Sequence, residues 1–217
     1  MIERLPRWVE PGTLLLAFNA GGVNAVGLLS LEHQSISHAT GSAAWLGLSL
    51  AQSDWRQAGY LGLVIVCFLL GAMVSGMIIR GAALQLGRRY TACLLLEMVL
   101  LGAALLTFLH SGVGGAFWAS AACGVQNAMV TTYSGSIIRT THITGTVTDL
   151  GLAIGHWLRR LPVDMRRVRL SVLVVVGFLI GAAGGAAAWL QIGHWSLLLP
   201  MLLCSMLAAV SWHFRRA

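Results

Sequence analysis

The chain has 217 residues, of which 57% are hydrophobic and only 10% are charged. Soluble domains carry about 25% charged residues, so the composition excludes a water-soluble protein and indicates an integral membrane protein. The basic residues are all arginine, and the net charge is +7. Because the arginines stand between apolar runs, they indicate a positive-inside topology and argue against a nucleic-acid partner.

The apolar segments, taken in chain order, predict an all-α membrane domain. A spanning helix needs about 20 mostly apolar residues, and six segments meet this need: 12–31, 57–79, 91–110, 115–138, 170–190 and 195–213. Two further stretches, 40–53 and 144–157, are too short to cross. The first segment follows Arg4 and Arg7, as a signal peptide would, but the repeat described below requires it as a span.

Arginine placement predicts the orientation of the spans. With six crossings and both termini in the cytoplasm, thirteen arginines lie inside and Arg56 alone lies outside. Counting the two short stretches as spans would put four arginines outside. The positive-inside rule therefore favours six spans.

An internal repeat divides the chain into two halves, about 12–110 and 115–213. Residues 38–50 read HATGSAAWLGLSL and residues 142–154 read HITGTVTDLGLAI. Residues 22–25 resemble 124–128 with one inserted residue, 68–72 resemble 178–182, and 84–87 resemble 190–193. Each half has three crossings, an odd number, so the second half enters the bilayer from the opposite face. This inverted repeat is typical of transporters and channels.

The two short stretches begin with paired His-x-Thr-Gly motifs. Thr40 and Thr144 are predicted N-caps, whose hydroxyls accept a bond from a free backbone N–H, and Gly41 and Gly145 allow close backbone approach. If both helices are re-entrant half-helices, their N-termini face a shared polar site. The alternative is that each motif caps a helix at the membrane surface. The sequence leaves both open.

Several polar residues within or beside the spans are further candidates. His38 and His142 are candidate proton carriers or caps of nearby carbonyl groups. Asn24, Gln126 and Asn127 lie inside spans, where polar groups mark a pathway or join helices. The candidate solute-binding residues are Asn24, His38, Thr40, Gly41, Ser42, Gln126, Asn127, His142, Thr144, Gly145 and Asp149.

Two carboxylates lie close to the membrane, and neither recurs in the other half. Glu97 lies about two turns beyond Arg89, so we expect it to extend to the inner interface and pair there; the alternative is a proton-coupling carboxylate. Asp149 lies in the second short helix and is a candidate substrate contact.

Small residues at four-residue spacing predict close helix packing, within the protomer or in a homo-oligomer. They are Gly71 with Ser75 and Gly181 with Gly185. The four cysteines lie in apolar runs without metal-ligand spacing, so we read them as packing residues and expect no metal and no cofactor. The basic linker from Arg159 to Arg169 is expected to attract anionic lipid.

The motifs at 22–25 and 124–128 and the two Thr-Gly pairs together resemble the YoaK-like bacterial membrane family, the domain of unknown function numbered 1275. The resemblance covers residues 10–213 and implies a bacterial inner-membrane protein without a settled activity. Family members often have Asp at the position of Asn24 and Thr-Gly-Asn at Thr40-Gly41-Ser42, so ion coupling through that Asp is not implied here.

Three function classes follow from these patterns. The favoured class is a transporter or channel for a small polar or anionic solute, with proton coupling as an option. The second is an accessory or scaffold membrane protein that moves nothing. The third is a membrane enzyme, which we do not expect because the chain lacks H-E-x-x-H and G-x-S-x-G and has no cluster of carboxylates.

Overall fold

The computed structural model describes residues 9–30, 36–79, 87–112, 114–134 and 139–213. Within these ranges the regular structure is entirely helical. The helices are α1 Val9–Ser30, α2 Ala39–Ala51, α3 Trp55–Ile78, α4 Arg88–Ser111, α5 Gly115–Tyr133, α6 Ile143–Leu158, α7 Met165–Ile192 and α8 Leu198–His213. A 3-10 turn, Gly193–Leu197, joins the last two.

Each predicted apolar segment contains a helix, and the two short stretches correspond to α2 and α6. The described residues hold four helical segments long and apolar enough to cross a membrane: Val9–Ser30, Trp55–Ile78, Arg88–His110 and Met165–His213. These apolar helices indicate a multi-pass membrane protein. Position 31 of the first predicted segment, 135–138 of the fourth, and 84–86 of the repeat lie outside the described residues.

Helices from the two ends of the chain pack against each other. The most extensive helix contacts are those of α1 with α7 and of α3 with α5, and α4 packs between α5 and α8. The short helices lie outside this arrangement, α2 against α3 and α6 against α7. Two apolar cores fill the bundle, one around Leu94 and Met129 and the other around Leu101 and Leu197.

Glycines allow the two largest helix contacts to close. A Cβ on Gly21 would overlap the carbonyl oxygen of Phe178, and a Cβ on Gly124 would overlap that of Phe68. Gly71 and Gly181 meet backbone atoms of Ala121 and Phe18 in the same way, and Gly185 meets Gly22. The predicted packing role of the small residues is therefore confirmed, and these contacts lie within one chain.

The predicted N-caps of the short helices are wrong. Helix α2 begins at Ala39 after His38, and α6 begins at Ile143 after His142, so Thr40 and Thr144 lie in the first turns. Neither histidine side chain caps its helix. The backbone closes the first turn instead, because the carbonyl of His38 accepts from Ser42 N at 2.9 Å and that of His142 from Thr146 N at 3.1 Å.

Candidate functional site

A buried polar cluster lies where α1, α4, α5 and α8 meet. Its members are Asn19, Glu97, Gln126 and Cys204, and each is almost fully buried. The Nδ2 of Asn19 donates to Glu97 Oε1 at 2.9 Å and lies 3.4 Å from both Gln126 Oε1 and Cys204 Sγ. We call this group the central cluster. It joins four helices through polar side chains, which apolar helix packing does not require.

Gln126 is held in the central cluster by the backbone of a neighbouring helix. Its Nε2 donates to the carbonyl of Leu16 at 2.6 Å, a residue of α1 one turn before Asn19. The carbonyl of Leu16 thus accepts a bond besides the one inside its own helix. Because this contact fixes the amide plane, Gln126 presents Oε1 towards Asn19.

The expectation that Glu97 extends to the inner interface is wrong. Its side chain is 1% exposed, and it bonds to Asn19 within the bundle. This amide partner inside the bundle makes the interior position tolerable, since polar groups in a membrane protein face the bundle and pair there. No arginine among the described residues pairs with Glu97, whereas Asp149 pairs with Arg167 and Glu10 pairs with Arg169.

Two oxygen atoms of the central cluster lack partners. Glu97 Oε2 and Asn19 Oδ1 are buried and accept no hydrogen bond from any described group. Such an atom costs about 1–3 kcal/mol, so natural proteins rarely keep one without a functional or structural reason. The two oxygens therefore mark the central cluster as a candidate binding site.

Asn24 anchors the segment that leads into α2. Its Oδ1 accepts from the hydroxyl of Ser37 at 2.7 Å and from the Ser37 backbone N at 3.3 Å, while its Nδ2 donates to the carbonyl of Ala20 at 2.8 Å. On the other side, Ser120 of α5 donates to the carbonyls of Ile36 and Val64. The role that these contacts show for Asn24 is anchoring.

The equivalent asparagine of the second half is not satisfied in this way. Asn127 Oδ1 is buried and accepts no bond from the described residues, and the same holds for the hydroxyl of Thr140. The first half thus has a formed contact between Asn24 and Ser37. In the second half, Asn127 and Thr140, the residue before the counterpart of Ser37, keep polar atoms without a partner among the described residues.

The residues of the two His-x-Thr-Gly motifs lie mostly at the protein surface. His38, Thr40 and Gly41 are exposed, whereas Ser42 is buried. In the second motif His142 and Thr144 are exposed, and the ring of His142 lies against Gly145. The motif residues are not members of the central cluster. Of the site residues predicted from the sequence, only Gln126 belongs to that cluster.

Asp149 forms an ion pair with Arg167 of α7 at 3.0 Å. Both side chains are well exposed, and they line a surface cavity of about 230 Å³ between α6 and α7 together with His156 and Asp164. Exposed pairs contribute about 0–1 kcal/mol. The observed partner of Asp149 is therefore Arg167, and its predicted contact with a substrate stays a prediction.

Sequence reasoning missed Asn19 and the partnership of Cys204. Asn19 lies five residues before Asn24 and has no counterpart in the repeat, so self-comparison could not single it out. Its position inside an apolar segment was the available signal. The cysteines are free, and the described residues contain no group of three or more His, Cys, Asp or Glu suited to a metal ion.

The apolar helices and the buried polar centre define a multi-pass helical membrane protein. Residues 12–210 match the profile of the family described as "Protein of unknown function (DUF1275)". The chain belongs to this family, as its motifs predicted. No curated protein and no solved structure matches the chain.

Proposed function

We propose that the protein moves a small solute or ion across the membrane and that the central cluster lies on its path. The observation that carries this proposal is the buried carboxyl of Glu97, bonded to Asn19 inside the helical bundle. A carboxylate in a spanning helix is costly, and such residues line ion and proton pathways. The predicted preference for an anion rested on the Thr-Gly motifs, whose contacts lie elsewhere, so the polar solute is the better supported option.

An inverted-repeat architecture with six spans is part of the proposal. It is supported by helix contacts that exchange between halves, α1 with α7 and α5 with α3. The glycine contacts match pair by pair: Gly21 meets Phe178, and Gly124 meets Phe68. They align Gly21 with Gly124, and hence Asn24 with Asn127, without the inserted residue that sequence comparison required.

The re-entrant path of the segment before α2 also supports transport. Asn24 lies six residues before the end of α1, which is about 9 Å along the helix axis. Because Ser37 bonds to Asn24, Ser37 lies at this depth before α2 starts. Irregular backbone at such a depth is tolerated only inside protein or beside a cavity, and in transporters such broken elements line the site.

Reconstitution of the purified full-length chain into proteoliposomes tests the proposal. Solid-supported membrane electrophysiology records currents for amino acids, small sugars, inorganic anions and monovalent cations, each under imposed proton and sodium gradients. We expect a current with at least one solute, and its loss in Glu97→Gln. The matched control, Glu10→Gln, makes the same chemical change at the surface and should keep the current. A saturating response indicates a carrier, and a linear one a channel.

Folded wild-type protein that gives no current with any of these solutes would contradict the proposal and favour a scaffold protein. The observation that favours this second candidate is the exposed apolar face of the short helices, which includes Trp45 and Trp157. Stable copurification with a larger membrane protein is its test. That the chain is not an enzyme stays a prediction, as do the inner-membrane location, the cytoplasmic termini and homo-oligomerisation.

We also propose that the basic linker between α6 and α7 binds anionic lipid. Arg159 and Arg160 are exposed there, and a basic segment near the bilayer attracts anionic headgroups by about 1 kcal/mol per side chain.

A further inference from the structure

The central cluster lacks hydrogen-bond donors rather than acceptors. The Nδ2 of Asn19 already donates to Glu97, and the Nε2 of Gln126 donates to Leu16. The atoms left over within the described structure are both oxygens, Glu97 Oε2 and Asn19 Oδ1. What would satisfy them is a species that brings positive charge or donors, and an anion would add further acceptors to the site.

The same site also lacks a positive charge. Among the described residues, Arg167 and Arg169 form ion pairs at the surface, with Asp149 and Glu10. In the described part of the chain, the thiols of Cys93, Cys123 and Cys204 interact electrostatically with Glu97, and a thiol supplies no positive charge. An ionised Glu97 is therefore a single negative charge that has a hydrogen bond from Asn19 but no counter-charge among the described residues, which is strongly unfavourable inside an apolar bundle.

We infer that the central cluster is a binding site for a small monovalent cation, a sodium ion or an ammonium group, held by the oxygens of Glu97 and Asn19. Carboxylate and amide oxygens are the ligands that hard cations prefer. One carboxylate balances one positive charge, which favours a monovalent over a divalent ion. The inference identifies the ion that the proposed transport function would move, and in that respect it rests on the proposed function. The binding itself can be measured without any flux.

Thermal unfolding of the purified full-length protein in detergent tests the site. Sodium chloride or ammonium chloride replaces choline chloride at constant ionic strength and constant pH. At a cation concentration about one hundredfold above Kd, a ligand that binds only the folded state raises Tm by roughly 5–10 °C for a chain of this size. We expect this rise in the wild type and in Glu10→Gln, and no rise in Glu97→Gln. The salt that acts identifies the ion.

Two results would overturn the inference. They are no cation-dependent rise in the wild type, which would leave a proton as the sole occupant, and an equal rise in Glu97→Gln. If Glu97→Gln does not fold, Asn19→Ala takes its place, because it removes the second oxygen. Cation binding without any current would contradict the proposed transport function and support the cation site. A current without cation binding would support transport and contradict the cation site.

Discussion

The side-chain oxygen of Asn24 accepts two hydrogen bonds from Ser37, one from the Ser37 hydroxyl at 2.7 Å and one from the Ser37 backbone N at 3.3 Å. Replacing Asn24 by Ala removes both and leaves the Ser37 N–H buried without an acceptor. We expect a loss of about 1–3 kcal/mol in the free energy of unfolding and faster labelling of a cysteine placed at His38. Tm and labelling rate measure the two effects.

The matched control for Asn24→Ala is Ser37→Ala. It removes the hydroxyl but keeps the backbone bond to Asn24, so it should cost less stability and leave the labelling rate nearly unchanged. If both variants label at the same rate as the wild type, the segment before α2 is held by other contacts, and the re-entrant path loses its main support.

A second prediction concerns the pairing of Asn19 with Glu97. Asn19→Leu removes the donor to Glu97 Oε1 and is expected to cost about 1–3 kcal/mol, because the buried carboxyl loses its partner. Replacing both residues by Leu removes the whole polar pair, and such changes are often close to neutral. Thermal unfolding of the two single variants and the double variant measures the coupling. Additive losses would show that the two residues act independently.

A third prediction tests the helix contact that Gly21 makes possible. Gly21→Ala places a methyl group on the backbone of Phe178, so α1 and α7 must separate, and we expect a cost of about 1–3 kcal/mol. The control is Gly76→Ala in α3, where a Cβ meets no atom within 4 Å. Because Ala is the better helix former by about 1 kcal/mol, this variant should be as stable as the wild type or more so. Equal Tm values for both variants would contradict the close contact.

The helices were predictable from the sequence because apolar length determines them almost alone. The segment 91–110 and the observed α4, Arg88–Ser111, differ only at the ends. The repeat likewise predicted that Phe68 and Phe178 occupy equivalent positions in the two halves. The position of Glu97 was not predictable, since its direction depends on which face of α4 meets Asn19, and no local pattern encodes that contact.

The candidate site was only partly predictable for the same reason. Gln126 and Asn24 were identified as polar residues inside spans, but the sequence could not tell that Gln126 joins the central cluster and Asn24 anchors a loop. The Thr-Gly motifs were predicted as site residues because they recur in both halves. Repetition also preserves folding signals, and Thr40 and Thr144 are exposed residues in the first turns of the short helices.

The last prediction concerns the lipid contact of the linker between α6 and α7. Arg159→Gln should reduce the anionic lipid that copurifies with the protein, and Arg159→Gln with Arg160→Gln should reduce it further, because each side chain attracts anionic headgroups by about 1 kcal/mol. Native mass spectrometry in detergent counts the bound lipids.

Arg56→Gln is the matched control for these linker variants. Arg56 is also exposed, but the arginine pattern predicts that it lies alone on the outer side, so its loss should leave the lipid count unchanged. Raising the salt concentration should weaken lipid binding in the wild type, as it does for exposed charges in general. Equal lipid loss in Arg56→Gln and Arg159→Gln would mean that lipid binds by overall charge, with no preference for the linker.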